Sequence, residues 1–209
     1  MSDLLLGQAL AAFILAGTLA GGVVIYRRVR ATGNRGARLA GRTPARWAEI
    51  AWPSGFVLVQ GWGVGVLLAP SWFYEWPAIG PVPADHVIQS AGFGIWLAAG
   101  GLAMSAARAL GRHMTPEIRV DAGHTLVQHG PFRRIRHPTY TANVGLAVGI
   151  GLAFLSPVVL VVAVILAATA RHRAVLEEEL LRSPHGFGIV YDEYMKRTGR
   201  FLPGWGGNK

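Results

Sequence analysis

Residues 130–140 read GPFRRIRHPTY, placing three arginines and a histidine between Gly130-Pro131 and Pro138. Gly-Pro enforces a turn, and His137-Pro138 reads as a helix start, because proline is tolerated at the first helical position. The free backbone N–H groups of such a helix, beside Arg133, Arg134 and Arg136, either make an anion site or leave those arginines only to snorkel to lipid headgroups. A second polar stretch, RHRAVLEEELLRSPHGFGIVYDEYMKRTGRFLP at 171–203, supplies the opposite charge. On a helix, successive residues of Glu177, Glu178 and Glu179 are 100° apart, so at most two of them aim at one point. Tyr191 and Tyr194 share a face at three-residue spacing. A triple acid at the membrane surface, facing the basic turn, reads as complementary charge rather than a solvated face.

Membrane helices must position these patches. Of the 209 residues, 52% are hydrophobic and only 15% charged, where a soluble domain carries nearer a quarter. Uncharged tracts run over 4–26, 50–70, 87–107 and 141–170. A bilayer core of ~30 Å takes ~20 apolar residues per helix, so the first three tracts fit one span each. The fourth, thirty residues long, is broken by Ser156-Pro157 and reads as a helical hairpin. Basic residues set the topology: seven lie in 27–46, six in 108–136 and seven in 171–209, with none in the 71–86 loop. The positive-inside rule then places all three basic segments in the cytoplasm. Four spans would leave the tail outside, against that rule.

The expected fold is therefore all-α and integral to the cytoplasmic membrane. It has five transmembrane helices, the last two forming a hairpin over 140–176, and a short cytoplasmic C-terminal helical segment. The N-terminus lies outside and the C-terminus inside. Residues 1–107 hold three helices and the basic loop 27–46, and 108–209 hold the polar core. The pairs Gly17/Gly21, Gly61/Gly65 and Gly145/Gly149 read as helix-packing faces. Trp47, Trp52, Trp72 and Trp76 fall near span ends, as an interfacial belt would.

The motifs taken together resemble the isoprenylcysteine carboxyl methyltransferase family and its prokaryotic relatives, to which phospholipid N-methyltransferases are related. The elements occur in order: Gly130-Pro131-Phe132, Arg136-His137-Pro138-Thr139-Tyr140, the Glu run, Phe187-Gly188 with Tyr191 and Tyr194, and Arg200 with Pro203. The likeness covers roughly 108–203 and leaves the first two helices without a counterpart. It implies a membrane methyltransferase that takes S-adenosylmethionine from the cytosol and a lipid-like acceptor from the bilayer. It further implies cofactor contacts from His124, Leu126, Val127, His129, Gly130 and Pro131. Arg136, His137, Pro138, Tyr140 and the run Glu177, Glu178 and Glu179 complete that set. Arg136, Glu178 and Arg200 are the expected catalytic residues, with an arginine orienting an acceptor carboxylate or lipid phosphate. LLRSPHG, between the Glu run and Phe187, is longer than the family's usual spacing, so the choice among the three glutamates stays open.

The absence of cysteine removes thiol catalysis and thiolate metal sites, and no metal cluster is expected. Nucleic-acid binding is not expected, because no aromatic stacking pattern accompanies the basic loop 27–46. Its arginines suit anionic lipid headgroups instead. Two other functions fit parts of the pattern. An NADPH-dependent sterol-type reductase shares an Arg-His-Pro turn, although Thr139 replaces that family's Asn. A non-catalytic protein binding anionic lipid would need only the basic residues.

Overall fold

A computed structural model describes residues 2–31, 37–75 and 85–204. Trp76 and part of the 27–46 loop lie outside the described residues. The helices are α1 (Ser2–Ala31), α2 (Arg46–Leu68), α3 (Pro70–Glu75), α4 (Asp85–Leu110), α5 (Pro138–Ala153), α6 (Pro157–Arg182) and α7 (Ile189–Arg197). Within α1, α2, α4 and α6 lie four stretches long and apolar enough to cross a membrane. Their outer faces expose Leu19, Val57, Leu58 and Val164, an apolar surface that suits lipid rather than water. The chain is an integral membrane protein of mostly helical fold.

Small residues set how closely the helices approach. A Cβ on Gly149 of α5 would sit 2.7 Å from the Trp96 backbone nitrogen of α4, and one on Gly92 would strike the Ala153 backbone. These helices therefore cross at backbone distance, the geometry small-residue faces allow in lipid. The expected glycine pairs hold in part. Gly17 packs on Trp96, Gly65 on Phe73 and Gly145 on Ala99, but Gly21 and Gly61 face open space.

The hairpin forms where Ser156-Pro157 predicts it. The Ser156 hydroxyl accepts from Val159 N at 3.2 Å, capping α6, and Pro157 opens that helix. Leu155 turns the chain with φ of 49°. The two arms are unequal: α5 has 16 residues and α6 has 26. At 1.5 Å per residue α5 rises about 24 Å, shorter than the full hydrocarbon core.

One element departs from an all-helical reading. Strand β1 (Arg38–Arg42) pairs antiparallel with β2 (Ile118–Asp121), Arg38 opposite Asp121 and Arg42 opposite Ile118. Ile118 and Val120 bury one face of this ribbon against Leu180 of α6. The ribbon joins the first basic segment to the second. The third joins them through Tyr194, whose hydroxyl donates to Phe132 O at 2.6 Å, and through a bridge between Ile135 and Gly199. All three basic segments thus meet at one end of the bundle, as the charge pattern requires.

Candidate active site

Where those segments meet, a cavity of about 440 Å³ opens. That lies within the ~300–1,000 Å³ usual for small-molecule sites. Its walls come from the loop before β2 and the loop after it, the turn 132–137, the first turns of α5, the last turns of α6, and α7.

The phase of α6 distinguishes the three glutamates. Arg173, Glu177, Leu180 and Leu181 share one stripe at three- and four-residue spacing, and that stripe faces the cavity. One residue on, Glu178 turns into the protein and is 3% exposed. Glu179 points outward and is exposed.

Glu178 is the centre of a closed ion-pair cluster. Its Oε1 accepts from Arg136 Nε at 2.8 Å and lies 3.2 Å from His137 Nε2. Arg200 donates to the same carboxylate through Nε at 3.1 Å and through Nη2 at 2.7 Å. Backbone bonds draw the partners together: Arg136 N donates to Gly199 O at 2.8 Å and His137 N to Arg200 O at 3.0 Å. A carboxylate so surrounded repays its burial only while all its partners stay. The bonds to Glu178 raise the pKa of the Arg200 guanidinium.

Glu178 and Arg200 do not line the cavity; they tie the tail 198–201 to the basic turn. His129, Gly130, Pro131 and Pro138 are not among the lining residues, and Gly130 adopts the left-handed φ of 60° the turn requires. Glu179 is likewise absent from the lining. The expected residues that do line the cavity are His124, Leu126, Val127, Arg136, His137, Tyr140 and Glu177.

Two of the lining cations keep unused donors. Arg136 is buried, with Nη1 donating to Met195 O and Thr198 O, yet its Nη2 has no hydrogen-bond partner among the described residues. Arg173 donates through Nη2 to Pro116 O and stacks over Trp52 at 5.8 Å, while its Nε has no hydrogen-bond partner among the described residues. Opposite charge comes from Glu177, whose side chain is 35% exposed and accepts from Tyr140 Oη at 3.1 Å. The cavity thus has two cations with donors to spare and two accessible carboxylates, Glu117, which pairs with Arg119 at 3.3 Å, and Glu177, which no arginine engages among the described residues.

Aromatic rings complete the wall. His113 and His124 stack at 4.6 Å, and Phe187 meets His124 edge-on at 5.6 Å. Burial, helped by the neighbouring His113, holds the His124 pKa below the ordinary imidazole value, so its ring is neutral near neutral pH. Burial pushes Tyr194 up to about 12 and Tyr191 well above its usual value, keeping both as neutral donors.

Arg173, Trp52 and Asn143 line the cavity without having been singled out from the sequence. Arg173 read as a topology signal within RHR, but its four-residue offset from Glu177 marks the shared face. Trp52, expected in an interfacial belt, packs inward against Tyr140 at 5.4 Å. Trp47 and Trp72 are exposed, as a belt requires.

Residues 92–183 match the family model of the isoprenylcysteine carboxyl methyltransferase family. The fold is similar to the solved structure of the eukaryotic intramembrane Ras methyltransferase of that name, without a monobody. The TM-score is 0.55 at 21% identity, covering 80% of this chain and 56% of that one. The chain therefore spans little more than half the length of that enzyme. No curated protein matches the chain. The matched segment runs from within α4 to the end of α6 and takes in the basic turn, Arg173 and the Glu run, so this part of the chain is similar to the isoprenylcysteine carboxyl methyltransferase family.

Proposed function

We propose that the protein is an S-adenosylmethionine-dependent methyltransferase that modifies a lipid-like acceptor bearing a carboxylate, as an isoprenylcysteine does. The observation that carries this reading is the charge layout of the cavity, two cations with unused donors on the same lining as Glu177, the accessible glutamate that no arginine neutralises among the described residues. The cofactor's amino-acid end, a carboxylate beside an ammonium, needs that pairing. Arg136 Nη2 supplies the donor for the carboxylate, and Glu177 the acceptor for the ammonium. His124, Leu126, Val127 and Phe187 supply a flat, largely apolar wall for a nucleoside. The residues present fit the group.

When bound, S-adenosylmethionine supplies a methyl group on a sulfonium centre. A carboxylate acceptor arrives ionised at neutral pH, so the chain need not remove a proton from it. Its task is alignment and exclusion of water. Glu178 acts as a positioning residue, fixing the Arg136 guanidinium in the cavity wall. Arg173, with Nε free and Trp52 covering its guanidinium, is placed to orient the acceptor carboxylate. Tyr140 holds Glu177 by a hydrogen bond from its hydroxyl.

The protein crosses the cytoplasmic membrane five times, α5 and α6 being its last hairpin, with the N-terminus outside. The basic end and its cavity, with α7, then face the cytosol, where the cofactor is found. Incubating membranes with S-adenosylmethionine labelled on its methyl group tests the reading. Label is expected in a base-labile lipid ester, and Arg173→Ala is expected to abolish its transfer. Transfer to no lipid fraction, or binding of NADPH in place of S-adenosylhomocysteine, would overturn it.

A further inference from the structure

A second, much smaller void of about 10 Å³ lies deeper between α1, α2, α5 and α6, and Asn143 borders both it and the main cavity. The helices that line the cavity run on to line the void. Trp52 on the cavity leads to Phe56 and Gln60 on the void, Gly22 and Ile25 lead back to Thr18, and Arg173 leads to Leu166. From Trp52 to Gln60 is eight residues, about 12 Å along the helix.

The void sits in the apolar interior yet carries polar side chains. Gln60 Oε1 is buried with no hydrogen-bond partner among the described residues. Gln8, also inside the bundle, is by contrast tied to Leu67 O at 3.0 Å. Thr18 spends its hydroxyl proton on Ile14 O at 2.8 Å, so it can only accept. An unpaired carbonyl inside a membrane protein costs free energy, and intramembrane polar groups facing a cavity mark ligand paths. The void is about the size of one hydroxyl group or one water.

Resting on the methyltransferase reading above, we propose that this polar end of the seam is a specificity subsite for the far end of the acceptor's chain. The acceptor is then an amphiphile with a carboxylate at the Arg173 level and, roughly 12 Å away, a terminal group able to donate a hydrogen bond. Gln60 Oε1 requires a donor, so a hydroxyl or amide N–H satisfies it, whereas a methyl, ether or ester terminus does not. Asn143, at the junction, borders the path the chain takes.

The test compares ω-hydroxydecanoate with decanoate by calorimetry on the detergent-solubilised full chain, with S-adenosylhomocysteine binding measured in the same samples. The ratio of the two dissociation constants cancels differences in detergent partitioning between wild type and variant. In Gln60→Leu the preference for the hydroxylated chain is expected to fall by roughly 5- to 10-fold, the worth of one buried hydrogen bond. Asn143→Leu is a second variant, expected to lower the same ratio. An unchanged ratio in Gln60→Leu, as when one resident water satisfies the amide, would overturn the proposal. So would failure of both acids to bind while S-adenosylhomocysteine still binds, which leaves the methyltransferase reading intact. Failure of all three ligands to bind would overturn both.

Discussion

The two ends of α6 rest on different physics. At its start, Val159, Val162, Ala163 and Leu166 are held by packing alone, and any apolar side chain of the right volume would serve. At its end, within the six positions from Arg173 to Glu178, a cavity-facing stripe lies beside a buried charge cluster, and neighbouring residues have unlike surroundings. Glu177 and Glu178 are adjacent and chemically identical. One keeps its carboxylate accessible, and the other binds two arginines and a histidine. Position around the helix, rather than residue type, assigns the role.

Removing the buried carboxylate breaks this contrast most severely. Glu178→Ala leaves Arg136 and Arg200 facing one another with His137 and no counter-charge, an effect of about 3–5 kcal/mol. A large fall in thermal midpoint is expected, with loss of S-adenosylhomocysteine binding, and a melt in detergent reads it. Glu177→Gln separates ligand from fold. Binding is expected to weaken roughly 10-fold or more, the worth of a charged hydrogen bond, while the midpoint stays near wild type. Trp52→Leu should act on the acceptor side, raising its KM several-fold and leaving cofactor affinity unchanged, as steady-state kinetics with each ligand varied would show. Glu179→Gln is expected to change stability by less than about 0.5 kcal/mol and binding not at all.

Much of this site was legible from residue chemistry. Pro138 and Ser156-Pro157 announce their helix starts because proline lacks an N–H and has a fixed φ. The basic segments converge at one end because charge avoids the bilayer core. The division of labour in the Glu run was hidden, since three identical letters carry no phase. That phase is set by how Leu166 and Ala170 of the same helix pack, beginning where Leu166 fills the space beside Gly55 of α2. The ribbon was hidden as well: RLAGR has no apolar alternation, and it becomes a strand only because β2 and Leu180 offer it a partner and a floor. Trp52 read as a belt residue because sequence position near a span end says nothing of which way the ring turns.

The central claim is that Glu177, and neither of its neighbours, meets the ligand directly. Equilibrium dialysis of S-adenosylhomocysteine against folded wild type, Glu177→Gln and Glu179→Gln tests it most directly. The account predicts weakened binding in Glu177→Gln alone. Equal affinity for all three proteins, or a loss confined to Glu179→Gln, would contradict it.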